Sequence, residues 1–320
     1  MFSLSFIRDN IKRFNVHTKQ LLNSNYAKAW AEEIYCIIRF GCSPDDYFRY
    51  EFYKKSNTER NKFITFRRSQ QIIKKYNRSS QTNILNDKVK FNTFFHDYIK
   101  RNWIEIGAVS KKELKNFCAQ YKSIIVKPIN GGQGHGIFLW HNGNSNSDVD
   151  TLATYSGYIA EEILTQHPKM KRLNPSSVNT VRILTFKGEI VAAALRIGGD
   201  GAIVDNLHSN GVCGHIDIPT GIIDVPCIDM NFNKYIYHPT THEKLVGFEI
   251  PLWEQAKAEV VNAANAIPDV QYIGWDVAIL SDSIALIEGN HDPGHDVVQM
   301  IAQTGLYTDI LHIQSLSAIR

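Results

Sequence analysis

The 320-residue chain is 43% hydrophobic and 21% charged, which excludes a disordered chain and supplies core for two or three packed units; no apolar run approaches the roughly 18 residues of a membrane span. Its net charge is +3, but residues 1–100 carry +10 and residues 101–320 carry −7. A basic front end suggests an acidic partner, whether an anionic glycan, a lipid-linked carrier, a membrane surface or nucleic acid; the plain alternative is a solvated helical face.

Met1–Phe14 has no continuous apolar core followed by a small-residue cleavage site, so no secretory signal is expected. The five cysteines, Cys36, Cys42, Cys118, Cys213 and Cys227, are odd in number and never spaced C-x-x-C. That pattern points away from a disulfide scaffold or zinc knuckle and toward a reducing cytoplasm, with the inner face of the membrane as the alternative location.

Residues 1–85 read as a helical N-terminal region. Ala27–Phe40 has helical periodicity, with Trp30, Ile34, Ile37 and Ile38 predicted as its core stripe. Gly41 stops it, and Ser43, Pro44, Asp45 and Asp46 form a fresh helix start. Tyr47–Tyr53 interleaves Arg49 with five aromatics; such density on a helix favours core over a nucleic-acid stacking surface. Arg60–Lys75 continues as a basic helix.

From about Asn86 the texture changes. Helices are predicted over Phe91–Ile99 and Lys111–Tyr121, then a buried strand over Ser123–Pro128. Gly131, Gly132, Gly134 and Gly136 follow, then a strand over Ile137–Trp140. Tyr158–Leu164 reads as a strand or connector. Strands are expected over Thr180–Phe186 and Glu189–Leu195, and a well-patterned helix over Pro251–Ala266.

The last chemistry-bearing stretch is Gln271–Gly294. Two apolar strands, Ile273–Leu280 and Ile284–Glu288, flank the turn Ser281-Asp282-Ser283. A three-residue loop pairs Leu280 with Ile284, Ala278 with Leu286 and Asp276 with Glu288; Asn290 shares the face of Glu288. Opposed carboxylates repel by roughly 3 kcal/mol at an effective dielectric near 20, and a hard divalent cation such as magnesium removes that penalty. The plain alternative is a surface hairpin that happens to carry two acids.

The glycine loop lies between two strands, so it is neither a dinucleotide fingerprint nor a Walker loop. It suits a hairpin flap whose amides close over phosphate oxygens, with Lys127 at its mouth as a point charge. Asp205, Asn206, His208 and Gly211 belong to a polar turn that suits a carboxylate or a sugar hydroxyl, or is a plain Asn/Gly turn.

Taken in order, Lys88, Lys127-Pro128 with the flap, Ala160–Leu164, Asn179-Thr180-Val181-Arg182, and Asp276 with Glu288-Gly289-Asn290 resemble the ATP-grasp superfamily over residues 85–305. Asn179–Arg182, Arg196–Gly199, Asp205-Asn206, Gly211 and Glu288–Gly294 resemble its sugar-transfer-associated branch, a group linked to polysaccharide biosynthesis.

The resemblance implies an α+β, ATP-grasp fold: residues 86–164 as a small lobe, 165–320 as a large lobe, and ATP held between them. It implies that Lys88 and Lys127 contact nucleotide phosphates under the flap, and that Glu161, Glu162, Ile163 and Leu164 form a connector reading adenine and ribose. Asp276, Glu288 and Asn290 would hold magnesium, and Arg182 would stabilise the transferring phosphoryl group. Asn179 would lie near the substrate.

The implied activity is an ATP-dependent carboxylate–amine ligase making an amide through an acyl phosphate, with a sugar or glycan as one substrate. The alternatives are a phosphotransferase acting on a hydroxyl and a non-catalytic ATP-binding module. Two departures stand out. The first 85 residues look helical where many such ligases begin with a parallel α/β domain, and Gly274 stands where D-alanine ligase-like members carry arginine. The arginine's role then falls to Arg182 or Arg196.

Overall fold

A computed structural model describes residues 26–77, 81–132, 134–143, 148–199, 201–202, 205 and 211–317. Among these the chain divides into two compact units, one drawn from residues before Tyr76 and after Pro293, the other from Tyr76–Pro293. The C-terminal segment thus groups with the N-terminal helices rather than with the sheets.

The first unit is helical. Tyr26–Phe40 is a helix, but its orientation differs from the sequence expectation: Ala29, Glu33, Cys36 and Phe40 are buried, whereas Ile34, Ile37 and Ile38 are exposed and Trp30 is half-buried. Phe40, Tyr47, Phe48, Tyr50, Phe52 and Phe63 form a cluster with Cys36 and Cys42, and that aromatic mass draws the small-residue side of the helix inward. Both oxygens of Glu33 lie buried without a hydrogen-bond partner among the described residues, and burial lifts its pKa from 4.5 to about 8.

Ser43 caps the next helix, Pro44–Arg49, in a capping box with Asp46, and Pro44 occupies the first turn, as its sequence predicts. The expected Arg60–Lys75 helix is instead two pieces, Asn57–Arg60 and Phe66–Tyr76. In the helix His295–Ala302, the Gln299 side chain accepts from the Ile64 amide at 2.8 Å and donates to the Ile64 carbonyl at 3.0 Å.

The second unit holds two antiparallel sheets. The smaller contains β1 (Trp103–Glu105), β2 (Ser123–Pro128), β3 (Phe138–His141) and β4 (Tyr158–Glu162), in the order β1-β4-β2-β3. The helix Lys111–Ala119 supplies Leu114, Phe117 and Cys118 to its core. The predicted helix Phe91–Ile99 is two short ones, Lys88–Phe94 and His96–Ile99, capped at the start by Asp87.

The larger sheet contains β5 (Thr180–Phe186), β6 (Glu189–Ile197), β7 (Val212–Asp217), β8 (Ile222–Ile223), β9 (Cys227–Ile228), β10 (Lys234–Tyr235), β11 (Tyr272–Ile279) and β12 (Ile284–Asn290). Its order is β10-β9-β7-β6-β5-β11-β12, with β8 beside β7.

One face of the larger sheet is apolar. Val181, Ile183, Leu195, Ile273, Trp275, Val277 and Leu286 pack there against Val260 and Ala264 of the helix Trp253–Ala266. Alternation along the strands sends Arg182, Ala194 and Asp276 to the other face. All five cysteines are unpaired and buried. Among the described residues no helix is long and apolar enough to cross a membrane.

Candidate active site

The polar face of the larger sheet is written by register. Asp276 on β11 stands opposite Glu288 on β12 and opposite Arg182 on β5, so the three side chains line one row. Farther along, the ladder departs from the expected pairing. Ala278 faces Ala285 and Val277 faces Leu286, with a register shift between Asp276 and Val277.

The turn is correspondingly tighter, closed by a Leu280 amide to Ser283 carbonyl bond of 2.9 Å. An extra residue, Ile287, bulges from β12 and restores Glu288 to Asp276. Residues two apart on a regular strand share a face; the bulge is what lets Leu286 enter the core while Glu288 joins the acids. Asn290, opposite Gly274, donates to Glu288 Oε1 at 3.2 Å.

Asp276 is gripped by two arginines. Arg182 binds it in a fork, Nε to Oδ1 at 2.6 Å and a terminal nitrogen to Oδ2 at 2.9 Å, and Arg196 reaches Oδ2 at 3.0 Å. Burial would raise the pKa of Asp276, but the two guanidiniums outweigh it and hold the group ionised. Glu288 moves the opposite way: burial and the neighbouring Asp276 charge push it up, and the two carboxyl groups share a hydrogen bond.

Arg196 also faces Asp205 at 3.8 Å. Asp205 accepts from the Thr180 amide at 2.8 Å and from the Thr180 hydroxyl.

Gly274 has a local cause. A Cβ there would come within 2.3 Å of the Pro293 carbonyl oxygen, and that same oxygen accepts from Arg182 at 3.0 Å. Position 274 therefore has no room for an arginine, and the guanidinium beside Asp276 arrives from the adjacent strand.

The smaller sheet brings Lys127, and a helix start beside its glycine hairpin brings Lys88. Lys88 opens the helix after Asp87, and its Nζ donates to the Gly131 carbonyl at 3.0 Å. The loop is a hairpin between β2 and β3, as expected. Gly131, Gly134 and Gly136 have φ of +123°, +75° and +73°, the left-handed region that favours glycine. Added Cβ atoms at Gly131 or Gly132 would meet nothing within 4 Å, so a ligand can approach that backbone closely.

Lys127 is buried and pairs with Glu161 at 2.5 Å. Burial depresses the lysine pKa, whereas for Glu161 the charges of Arg101 and Lys127 overcome burial and bring it down to about 2.

Two residues here carried no signal in spacing or motif. Arg101 pairs with Glu161 through Nε at 3.0 Å, and Asn92 donates to Glu161 Oε1 at 2.9 Å. The carboxylate of Glu161 is thus fully engaged. Glu162 accepts from the amide and side chain of Asn102, at 3.2 and 3.0 Å. Past β4, Ile163 is exposed and Leu164 half-buried, without regular structure.

Asn179 is completely buried and donates to Gln166, Met170 and Asn174. Its side chain braces the entry to β5. Gly211 is buried at the head of β7. Asn206 and His208 lie outside the described residues.

The donor set of Asp276, Glu288 and Asn290 fits a hard divalent cation. A raised carboxyl pKa beside an ionised one marks a place where a cation would take over from the proton. Among the described residues no cluster of three or more His, Cys, Asp or Glu side chains is arranged for a metal. With two carboxylates and one amide as protein donors, such an ion would keep positions for water and phosphate oxygens, as magnesium prefers.

A family model described as sugar-transfer associated ATP-grasp matches residues 67–315. No curated protein matches. Among solved structures, the ATP-grasp ligase PsnB complexed with minimal precursor is similar at 13% identity and TM-score 0.48, covering 74% of this chain and 63% of that one. A D-alanine–D-alanine ligase from Bacillus anthracis is similar at 10% identity and TM-score 0.43, with 78% and 77% covered. D-cycloserine synthetase DcsG follows at 10% identity and TM-score 0.41, with 72% and 71% covered. The chain spans less than two thirds of the PsnB chains it matches, 63% and 61% in two of them.

Proposed function

The chain belongs to the sugar-transfer associated ATP-grasp family, and from that premise we propose that it is an ATP-dependent carboxylate–amine ligase. The observation that carries the reading is the polar row of the larger sheet, where Glu288, Asp276 and Arg182 stand side by side.

In this reading ATP lies between the two sheets. Lys88 and Lys127 bind its phosphates, the backbone of Gly131–Gly136 closes over them, and Ile163 and Leu164 offer main-chain groups to the adenine edge. Asp276, Glu288 and Asn290 would hold magnesium, which would supply charge neutralisation on the phosphates. Arg182 and Arg196, which both bind Asp276, would lose part of their counter-ion to a cation held there and so be available to anions. They then orient the substrate carboxylate and stabilise the phosphoryl group in flight.

The carboxylate oxygen attacks the γ-phosphorus, the bond to the bridging oxygen breaks and ADP leaves. An amine then displaces phosphate from the acyl phosphate to give the amide. The flap excludes water that would hydrolyse the intermediate.

We assign one substrate to the sugar or glycan class, on the family description alone, with the reaction in the cytoplasm. The basic N-terminal region would meet an anionic glycan, a lipid-linked carrier or the membrane face. The test is ADP release across a panel of uronic acids and amino acids, with hydroxylamine added to trap an acyl phosphate. A hydroxamate supports the ligase. A stable phosphorylated product formed without amine shows a phosphotransferase, and nucleotide binding without ADP release across the panel shows a binding module; either outcome overturns the proposal.

A further inference from the structure

We propose that Arg101 is a positioning residue that sets two parts of the site at once: the seat of Lys127 on the smaller sheet and the bulge that presents Glu288 on the larger one. The inference rests on the nucleotide-site reading above and assigns a role to a residue outside the set proposed to touch ATP or metal.

The geometry is compact. The Arg101 side chain is 2% exposed. One terminal nitrogen donates to the Leu286 carbonyl at 2.7 Å and to the Ile99 carbonyl at 3.1 Å. The other donates to the Ile287 carbonyl at 3.2 Å, to Glu161 Oε1 at 3.2 Å and to Asn92 Oδ1 at 3.2 Å. Nε faces Glu161 Oε2 at 3.0 Å. The same carboxylate takes Lys127.

Each bond answers a physical need. A bulge interrupts the ladder beside it, and buried carbonyls deprived of ladder partners need donors from elsewhere. The planar guanidinium serves consecutive carbonyls while pairing a carboxylate on its other edge, which a single ammonium cannot do. Glu161 in turn neutralises a buried cation that would otherwise be costly. Two cations and one anion leave this cluster one positive charge in excess. Lys127, on its site side, can therefore meet a phosphate without stripping Arg101 of its partner.

The test uses the full-length protein, with ADP titrated in the absence of metal and Mn2+ then titrated at saturating ADP by its EPR signal. Loss of a partner that orients a ligating group costs about 10–100-fold in metal affinity. Arg101→Lys is expected to weaken ADP and Mn2+ by about tenfold or more each. Glu161→Gln, which keeps the guanidinium-to-carbonyl bonds, is expected to weaken ADP and leave Mn2+ within about twofold.

Thermal unfolding of each variant guards against simple loss of fold. If Arg101→Lys does not fold, Glu161→Gln decides alone: equal weakening of both ligands overturns the separation of roles. Arg101→Lys with both affinities unchanged and only a lower Tm also overturns it. A wild-type protein that binds ADP and Mn2+ keeps those failures distinct from failure of the ligase reading; one that binds neither sinks both.

Discussion

Leu286 and Glu288 lie two residues apart on β12 yet point to opposite faces of the larger sheet, one into the apolar core and the other opposite Asp276. The single extra residue between them makes a buried strand and an acidic site compatible in seven residues, Ile284–Asn290.

Asp276 is the counter-ion of two arginines as well as a proposed metal ligand. Asp276→Asn removes a buried charge from between Arg182 and Arg196, and breaking such a pair costs about 3 kcal/mol or more. We expect a lower denaturation midpoint by urea titration, together with loss of more than about a hundredfold in magnesium-dependent ADP release. Full turnover with the stability loss would remove Asp276 from the metal site.

Lys88 gives a cleaner separation of binding from stability. It is half-buried on the helix start, and among the described residues its side chain donates to the Gly131 carbonyl alone. Lys88→Ala is expected to leave Tm nearly unchanged and to weaken ATP by about tenfold or more, the worth of a hydrogen bond to a charged group. Calorimetric titration with a non-hydrolysable ATP analogue checks it; unchanged affinity would take Lys88 out of the nucleotide site.

Gly274→Ala places a methyl 2.3 Å from the Pro293 carbonyl oxygen and 2.8 Å from its Cα. Those atoms are backbone and cannot swing aside, so overpacking of about 1–3 kcal/mol is expected. The displaced carbonyl is also the anchor of Arg182, so turnover should fall along with stability. Urea denaturation and ADP release measured on one preparation read both.

Glu33 makes a pH prediction for the helical unit. Its folded pKa of about 8 lies above the ordinary 4.5, so the folded state holds a proton that the unfolded state has released. Its contribution is full below pH 4.5 and is lost as pH rises to about 8, at up to about 1.4 kcal/mol per pH unit. Glu33→Gln keeps the neutral shape and should flatten that decline. Urea midpoints from pH 5 to about 9 decide it: parallel curves for both proteins would refute the assignment.

Much of this architecture was legible in the chain. The buried apolar run ending at Pro128 and the strand expected over Thr180–Phe186 match β2 and β5 at their observed ends, and the opposition of Asp276 and Glu288 follows from the hairpin. The bulge does not, because a one-residue offset at Ile287 leaves the apolar pattern of β12 readable in either register. The inner face of Tyr26–Phe40 departs from the apolar stripe for a related reason. Periodicity reports which residues are apolar, but the aromatic cluster of Tyr47, Tyr50, Phe52 and Phe63 selects the side with small residues. Arg101 and Asn92 were invisible since their partners, Glu161 and the carbonyls of β12, are distant in sequence and carry no fixed spacing.

The sequestration of all five thiols gives the chain built-in clocks. Cys36 and Cys42 sit in the helical unit, and Cys118, Cys213 and Cys227 in the sheet-containing one. Under native conditions a sulfhydryl reagent modifies only molecules that have opened. Mass-spectrometric timing of which peptides acquire label would therefore order the breathing of the two units without a single engineered probe. Nucleotide added to the same experiment would slow the second set of cysteines alone if it binds there.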